Sequence, residues 1–371
     1  MANMANFLDF DSLLVPLGGE AGVGEDLRLD SSPFSFYYRV KDARSRARAA
    51  ERALVMQGDE AAETPDWAPV LDLAPKVIAG KAKDLEIAAY LIEALVRAQG
   101  FAGLREGFQL ARRLLQTFGK NAFPHPDEDG VETQLAPFIG LNGAGSEGTL
   151  IQPINNVPLT GRNSVGMFGV AAYRQAIDLA RLADDQKAKR VAEGAVTLEM
   201  FQRAIGESDS EELRARLAEI DGCLDEYKQL TGVLDSLYGG EAPPSSSIQS
   251  ALDACRETLV STARERLADS LVSEPAATVS EAATNGAPQT ARGGGGALNN
   301  RDDAFREIMR IAQYFRTAEP HSPISYALEQ IVRWGRLPLP ALMKELISDT
   351  SSVSQLFKLV GIPAENEQQP G

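Results

Sequence analysis

Residues 77–118 read VIAGKAKDLEIAAYLIEALVRAQGFAGLREGFQLARRLLQTF. Val77, Ile78, Leu85, Ala88, Ala89, Leu91, Ile92 and Leu95 recur three and four apart, the spacing that places side chains on one face of an α-helix. After Gly100 the same spacing resumes through Phe101, Leu104, Phe108, Ala111, Leu114 and Leu115. The expectation is two helices packed across a glycine turn. Few stretches alternate with period two, and short Val/Ile/Thr runs between turn residues are scarce, so the fold class is all-α.

Further along, Leu213, Leu217, Ile220, Leu224, Tyr227, Thr231 and Leu234 step by four and three, the seam of a coiled coil or long helical hairpin. Ser208-Asp-Ser-Glu211 reads as a capping box at its start. A return helix follows residues 239–247, with Ile248, Leu252, Cys255, Leu259, Ala263 and Leu267 on one face. So short a turn favours antiparallel neighbours, hence a hairpin within the chain over a coiled coil between chains. Residues 140–166, rich in Gly, Asn and Pro but punctuated by Leu141, Leu150, Ile151, Ile154, Val157 and Leu159, read as a long loop anchored on a core.

Residues 273–298 hold no aromatic side chain, four consecutive glycines, and only Val279 and Leu298 as large apolar groups. Such a segment cannot offset its ordering entropy and reads as a flexible linker. Beyond it come four short helical patterns. Phe305, Ile308, Met309, Ala312 and Phe315 form the first; Ile324, Ala327, Leu328 and Ile331, ended by Gly335, the second; Leu339, Leu342, Met343, Leu346 and Ile347 the third; Val353, Leu356, Phe357 and Val360 the fourth. The expected organisation is a helical amino-terminal domain (1–165), a helical middle region with the hairpin (166–272), the linker (273–298) and a small helical domain (299–371). A domain that small buries proportionately little surface, which favours self-association.

With 371 residues, 44% hydrophobic and 24% charged, the chain reads as ordinary soluble domains. Its formal charge of −15 disfavours nucleic acid and anionic membrane surfaces as main partners. The most apolar stretch, Ile87–Ile92, ends at Glu93, too short to span a bilayer. Asp9 and Asp11 stand where a signal peptide would be apolar, so a cytoplasmic location is expected. Cys223 and Cys255 read as free thiols.

Catalytic chemistry has little to work with. The histidines, His125 and His321, lie on opposite sides of the linker, so neither a catalytic metal set nor any cofactor is expected. Asp127-Glu128-Asp129-Gly130 lacks the alternation of a calcium loop and reads as a turn or helix start. Gly19-Glu-Ala-Gly-Val-Gly24 has phosphate-loop glycines, but Glu25-Asp26 stand where Lys and Ser/Thr are required. Ala144-Gly-Ser146-Glu-Gly148 approaches a nucleophile elbow with no strand before it. Lys41, Arg44, Arg46, Arg48 and Arg52 form a basic stripe with much nearby acid to pair with. The alternatives to a non-enzymatic scaffold are therefore a hydrolase using Ser146 or Asp127 and Asp129, and an adaptor binding RNA or another effector through residues 41–52.

Gly24-Glu-Asp-Leu-Arg28, Asp66-Trp67, Lys83-Asp84-Leu85-Glu86, Gly100-Phe-Ala-Gly-Leu104, Pro126-Asp-Glu-Asp-Gly130 and Gly140-Leu-Asn-Gly143 together resemble the ImpA amino-terminal domain. Tyr314-Phe315, Glu319-Pro320-His321-Ser-Pro323 and Arg333-Trp334-Gly335 resemble the carboxy-terminal end of the TssA family of bacterial type VI secretion systems. Phe118-Gly119 stands where that family usually has a tryptophan, and Gln134 where an arginine is common. The resemblance implies a scaffold, not an enzyme, that forms rings through its carboxy-terminal domain. It further implies recruitment to the inner face of the envelope, and action with baseplate, membrane-complex, tube and sheath proteins. Among the motif residues, Trp67 is expected in the core of the first helical pair, with Lys83 and Asp84 at the exposed end of that face. Pro320 and Pro323 would fix a turn flanked by Glu319 and His321. Trp334 fits either core or a subunit contact.

Overall fold

The computed structural model describes residues 7–19, 21–57, 63–128, 130–268, 301–318, 324–337, and residues 342 and 345. Among these the chain is helical throughout, with isolated β-bridges and no strand. It divides into two compact units, residues 1–277 and 278–371. The linker expected at 273–298, the turn residues Glu319, Pro320, His321 and Pro323, and most of the third and fourth carboxy-terminal patterns lie outside the described residues.

The first unit carries α1 (Phe10–Leu13), α2 (Phe36–Gln57), α3 (Ala68–Gly80), α4 (Leu85–Phe118), α5 (Glu132–Asn142), α6 (Ile151–Asn156), α7 (Val170–Ala180), α8 (Asp184–Ala192), α9 (Leu198–Glu207), α10 (Ser210–Tyr238), α11 (Ser246–Thr262) and α12 (Arg264–Ala268). Its centre is α4, whose two arms fold back on each other at Gly100 (φ +59°). Gly103 and Gly107 let the arms approach. A Cβ on Gly103 would stand 2.5 Å from the Leu95 carbonyl oxygen, and one on Gly107 2.8 Å from Ile92 Cγ1. The expected helix pair with a glycine turn is therefore present, and the long apolar helix is the core of this unit rather than a membrane span.

Helix α10 packs along α4, and α11 returns antiparallel beside it. Alternate seam residues Leu213, Ile220, Tyr227 and Leu234 are buried, and Leu217 and Leu224 are half-buried against the same core. Tyr227 packs on Phe108 with ring centroids 4.9 Å apart, and the Cys223 thiol donates to the Phe101 carbonyl at 2.9 Å. One hydrophobic core runs from Leu8 to Ala263, across residue 165. Two local expectations need correction. The α10 start is capped by Asp209, which accepts from the Glu211 amide at 2.6 Å; Ser208 instead donates to the Ala204 carbonyl and accepts from the Gly161 amide. The segment 140–166 is anchored as expected but contains a helix, α6.

The second unit contributes α13 (Arg301–Ala318) and α14 (Ile324–Arg336), packed on each other. Gly335 does not end α14. It lies within the helix, where a Cβ would stand 2.4 Å from the Phe305 ring. The buried face of α14 is correspondingly Ser325 and Val332, one position off the expected stripe.

Candidate functional site

The amino-terminal motifs converge on one clasp. Gly24 adopts φ +83°, and a Cβ there would stand 2.0 Å from the Lys81 carbonyl oxygen, so only glycine permits the bridge between residues 24 and 82. The Lys83 amide donates to Val23 O at 2.8 Å and the Phe123 amide to Lys83 O at 2.9 Å, laying three chain segments side by side. From this seam Arg28 reaches Asp84 at 2.7 Å and also pairs with Glu86. Burial alone would make Arg28 less basic, but the Asp84 and Glu86 carboxylates outweigh it and raise its pKa. Asp84 also caps α4, accepting from the Glu86 and Ile87 amides at 2.9 and 3.1 Å. Tyr37 and Tyr90 donate their hydroxyls to Glu86.

Lys83 and Asp84 are not at an exposed end: both are fully buried, as is Leu85. The Lys83 ammonium donates to Leu13 O and Ile78 O, each at 2.8 Å, and stands 5.7 Å from the Phe118 ring centroid. It thus ties the end of α1 to the end of α3, where unpaired helical carbonyls favour a cation. Burial pushes its pKa down to about 8. Trp67 is buried at the start of α3. Its indole donates to Glu51 at 2.9 Å, and the Arg97 guanidinium lies 4.2 Å over its ring.

The Asp127–Gly130 segment forms a turn, closed by the Gly130 amide on Asp127 O at 3.0 Å, and Thr133 donates to the Asp127 carboxylate at 2.6 Å. Glu128 is exposed there, and Asp129 lies outside the described residues. Gln134 takes the place of an arginine without a charge. Fully buried, it donates to Lys120 O and Ala122 O at 3.0 and 2.6 Å and accepts from the Tyr238 hydroxyl at 2.8 Å. His125 stacks on Phe123 and bonds Asn121 O, and Ser146 is exposed in a turn. No group of three His, Cys, Asp or Glu side chains that could hold a metal occurs among the described residues. Burial pushes both cysteine thiols up, Cys255 to about 12, which suppresses thiolate chemistry. The basic stripe is divided. Lys41 donates to the Tyr37 hydroxyl, Arg44 pairs with buried Glu93 at 2.6 Å, and Arg46 and Arg52 face solvent.

The second unit presents a different surface. With Ala312, Ser325 and Val332 buried between α13 and α14, large apolar side chains remain outside: Met309, Ile311, Tyr314, Tyr326 and Ile331, with Tyr314 66% and Tyr326 63% exposed. Arg316 pairs with Glu329 across the helices at 2.7 Å. Trp334 is half-buried and donates to Glu345 at 3.0 Å, and Arg333 pairs with the same carboxylate. Phe315 is half-buried with its ring edge-on to Tyr314. Sequence spacing alone assigned Ile331 to the buried stripe; the one-residue rotation of α14 puts it outside.

Residues 14–143 match the family model for ImpA, N-terminal, type VI secretion system. Over 363 residues the chain is 25% identical to the type VI secretion system component TssA1 of Pseudomonas aeruginosa, spanning 96% of this chain and all of the relative. Its fold is similar to the solved N-terminal domain, including the conserved ImpA_N region, of the TssA component from Burkholderia cenocepacia. That likeness has a TM-score of 0.58 at 24% identity, over 70% of this chain and 94% of the other.

Proposed function

From the premise that residues 14–143 are an ImpA amino-terminal domain, we propose that the chain is a TssA component of a type VI secretion system. In this reading it is an assembly scaffold without a catalytic step. The carboxy-terminal unit joins copies into a ring, and the amino-terminal units project as arms toward baseplate, membrane-complex, tube and sheath proteins. It works in the cytoplasm at the inner face of the envelope. The observation that carries the reading is the exposed apolar set Met309, Ile311, Tyr314, Tyr326 and Ile331 on the two described helices of the second unit. Five large apolar side chains left exposed on the two described helices mark a candidate contact surface. Repetition of arms around a ring would raise effective concentration at each docking site. The conserved-length match to TssA1 supports the same role along the whole chain.

The test is complementation in a strain lacking this chain, read as release of the system's tube protein into the medium. Wild type and Ser146→Ala are expected to restore release, and the double variant Tyr314→Glu, Ile331→Glu to fail although expressed and folded. Failure of Ser146→Ala with the double variant active would instead favour the hydrolase.

A further inference from the structure

In the first unit, α2, the turn of α4, the segment around α6 and the side of α10 enclose an open cleft of about 780 Å³. Among the described residues Arg48, Arg52, Arg97 and Arg216 line it against Glu51 and Glu147, a surplus of positive charge in a chain whose net charge is −15. Part of that charge is already committed. Arg97 holds Glu51 through two of its nitrogens and the Glu93 carbonyl through a third. The other three are less fully committed. Arg52 is exposed and makes no hydrogen bond or ion pair among the described residues. Arg216 spends NH1 on Glu219 at 2.7 Å. Arg48 stands 4.0 Å from a buried Glu93 oxygen that has no hydrogen bond, because the other Glu93 oxygen takes Arg44 and Thr149. Burial lowers the pKa of Arg48, and the neighbouring Arg44, Arg52 and Arg97 lower it further, while Glu93 opposes them. An added anion would relieve that repulsion.

We propose that this cleft binds an extended acidic peptide segment of a partner protein, whose carboxylates pair with Arg48, Arg52 and Arg216. Arg48 and Arg52 lie one turn apart on α2 and Arg216 comes from α10, a spread that suits several separate carboxylates better than one compact phosphate. Exposed Gln99, Gln152 and Asn156 on its wall carry the amide donors and acceptors that a peptide backbone requires. Leu54, Pro153 and Pro158 supply apolar surface for side-chain stems. A long polyanion such as RNA would meet the negative field of the remaining surface, whereas a short acidic segment meets only the cleft.

The test uses the full chain and fluorescence anisotropy of a dye-labelled octapeptide of alternating Glu and Ala, so it is independent of the oligomeric mass. Binding is expected at low ionic strength and should weaken with added salt. Arg52→Glu, at an exposed position that leaves the core untouched, and Arg48→Gln should each weaken it about tenfold or more. Arg46→Glu, on the same helix but outside the cleft, should change it by less than about twofold. The proposal is overturned by no binding, by equal binding of the Gln/Ala octapeptide, by an equal loss in Arg46→Glu, or by displacement of the peptide with an equal concentration of inorganic phosphate.

Discussion

At the scale of single residues, the motifs of the amino-terminal unit are explained by what their side chains hold. Lys83 is an ammonium closed inside the core with two carbonyls and an aromatic ring. Its pKa is about 8 in the folded chain and near the ordinary lysine value of 10.5 when unfolded. Between those values the unfolded chain binds the proton that the folded chain has released, so the Lys83 contribution to stability rises with pH across that window. Urea unfolding of wild type and Lys83→Met between pH 7 and 10 should show wild type gaining relative to the variant as pH rises; a flat or falling difference would refute the assignment. Gln134 gives a second expectation. Gln134→Ala removes the partners of Tyr238, Ala122 and Lys120 in a buried setting, and should cost roughly 2–4 kcal/mol by the same method. Neither role was legible in the sequence. Lys83 and Asp84 are charged residues at a helix start, a pattern that reads as exposed unless the pairing of residues 23–25 with 81–83 is known. Gln134 looked like a lost charge because its three partners lie in two segments distant in sequence, residues 120–122 and the end of α10.

At the scale of elements, glycine separates two kinds of helix interior. Gly103 carries close backbone approach between the arms of α4, so Gly103→Val should destabilise by roughly 1–3 kcal/mol or more. Gly232 in α10 is exposed with nothing within 4 Å of an added Cβ, so Gly232→Ala should stabilise by about 0.5–1 kcal/mol. Thermal melts of the two variants should move in opposite directions. The helices themselves were legible, because α4, α10 and α11 write their buried faces with period 3.6 over many turns. Helix α14 was legible as a helix but not in its orientation. It has apolar residues on both sides, and the side that packs was decided by Gly335 meeting Phe305, a contact between elements that spacing cannot register.

At the scale of the whole molecule, the all-α class followed from the sequence, while what comes together across it did not. Arg48 and Arg52 are neighbours on α2, but Arg97 joins them only when α2 packs on α4, and Arg216 only when α10 lies along α4. Glu93, a lone charge inside an apolar run, was the one local sign that a basic side chain had to be drawn inward. The exposed apolar set of α13 and α14 is the feature on which the scaffold reading depends, since aromatic anchors buried at a contact typically cost about 2 kcal/mol or more when lost. Light scattering on the full chain, eluting from a sizing column, tests it most directly. The account predicts a mass several times that of one chain for wild type, and a single-chain mass with unchanged helicity for Tyr314→Glu, Ile331→Glu. A wild-type chain that elutes at the mass of one copy, or a double variant that keeps the assembled mass, would contradict it.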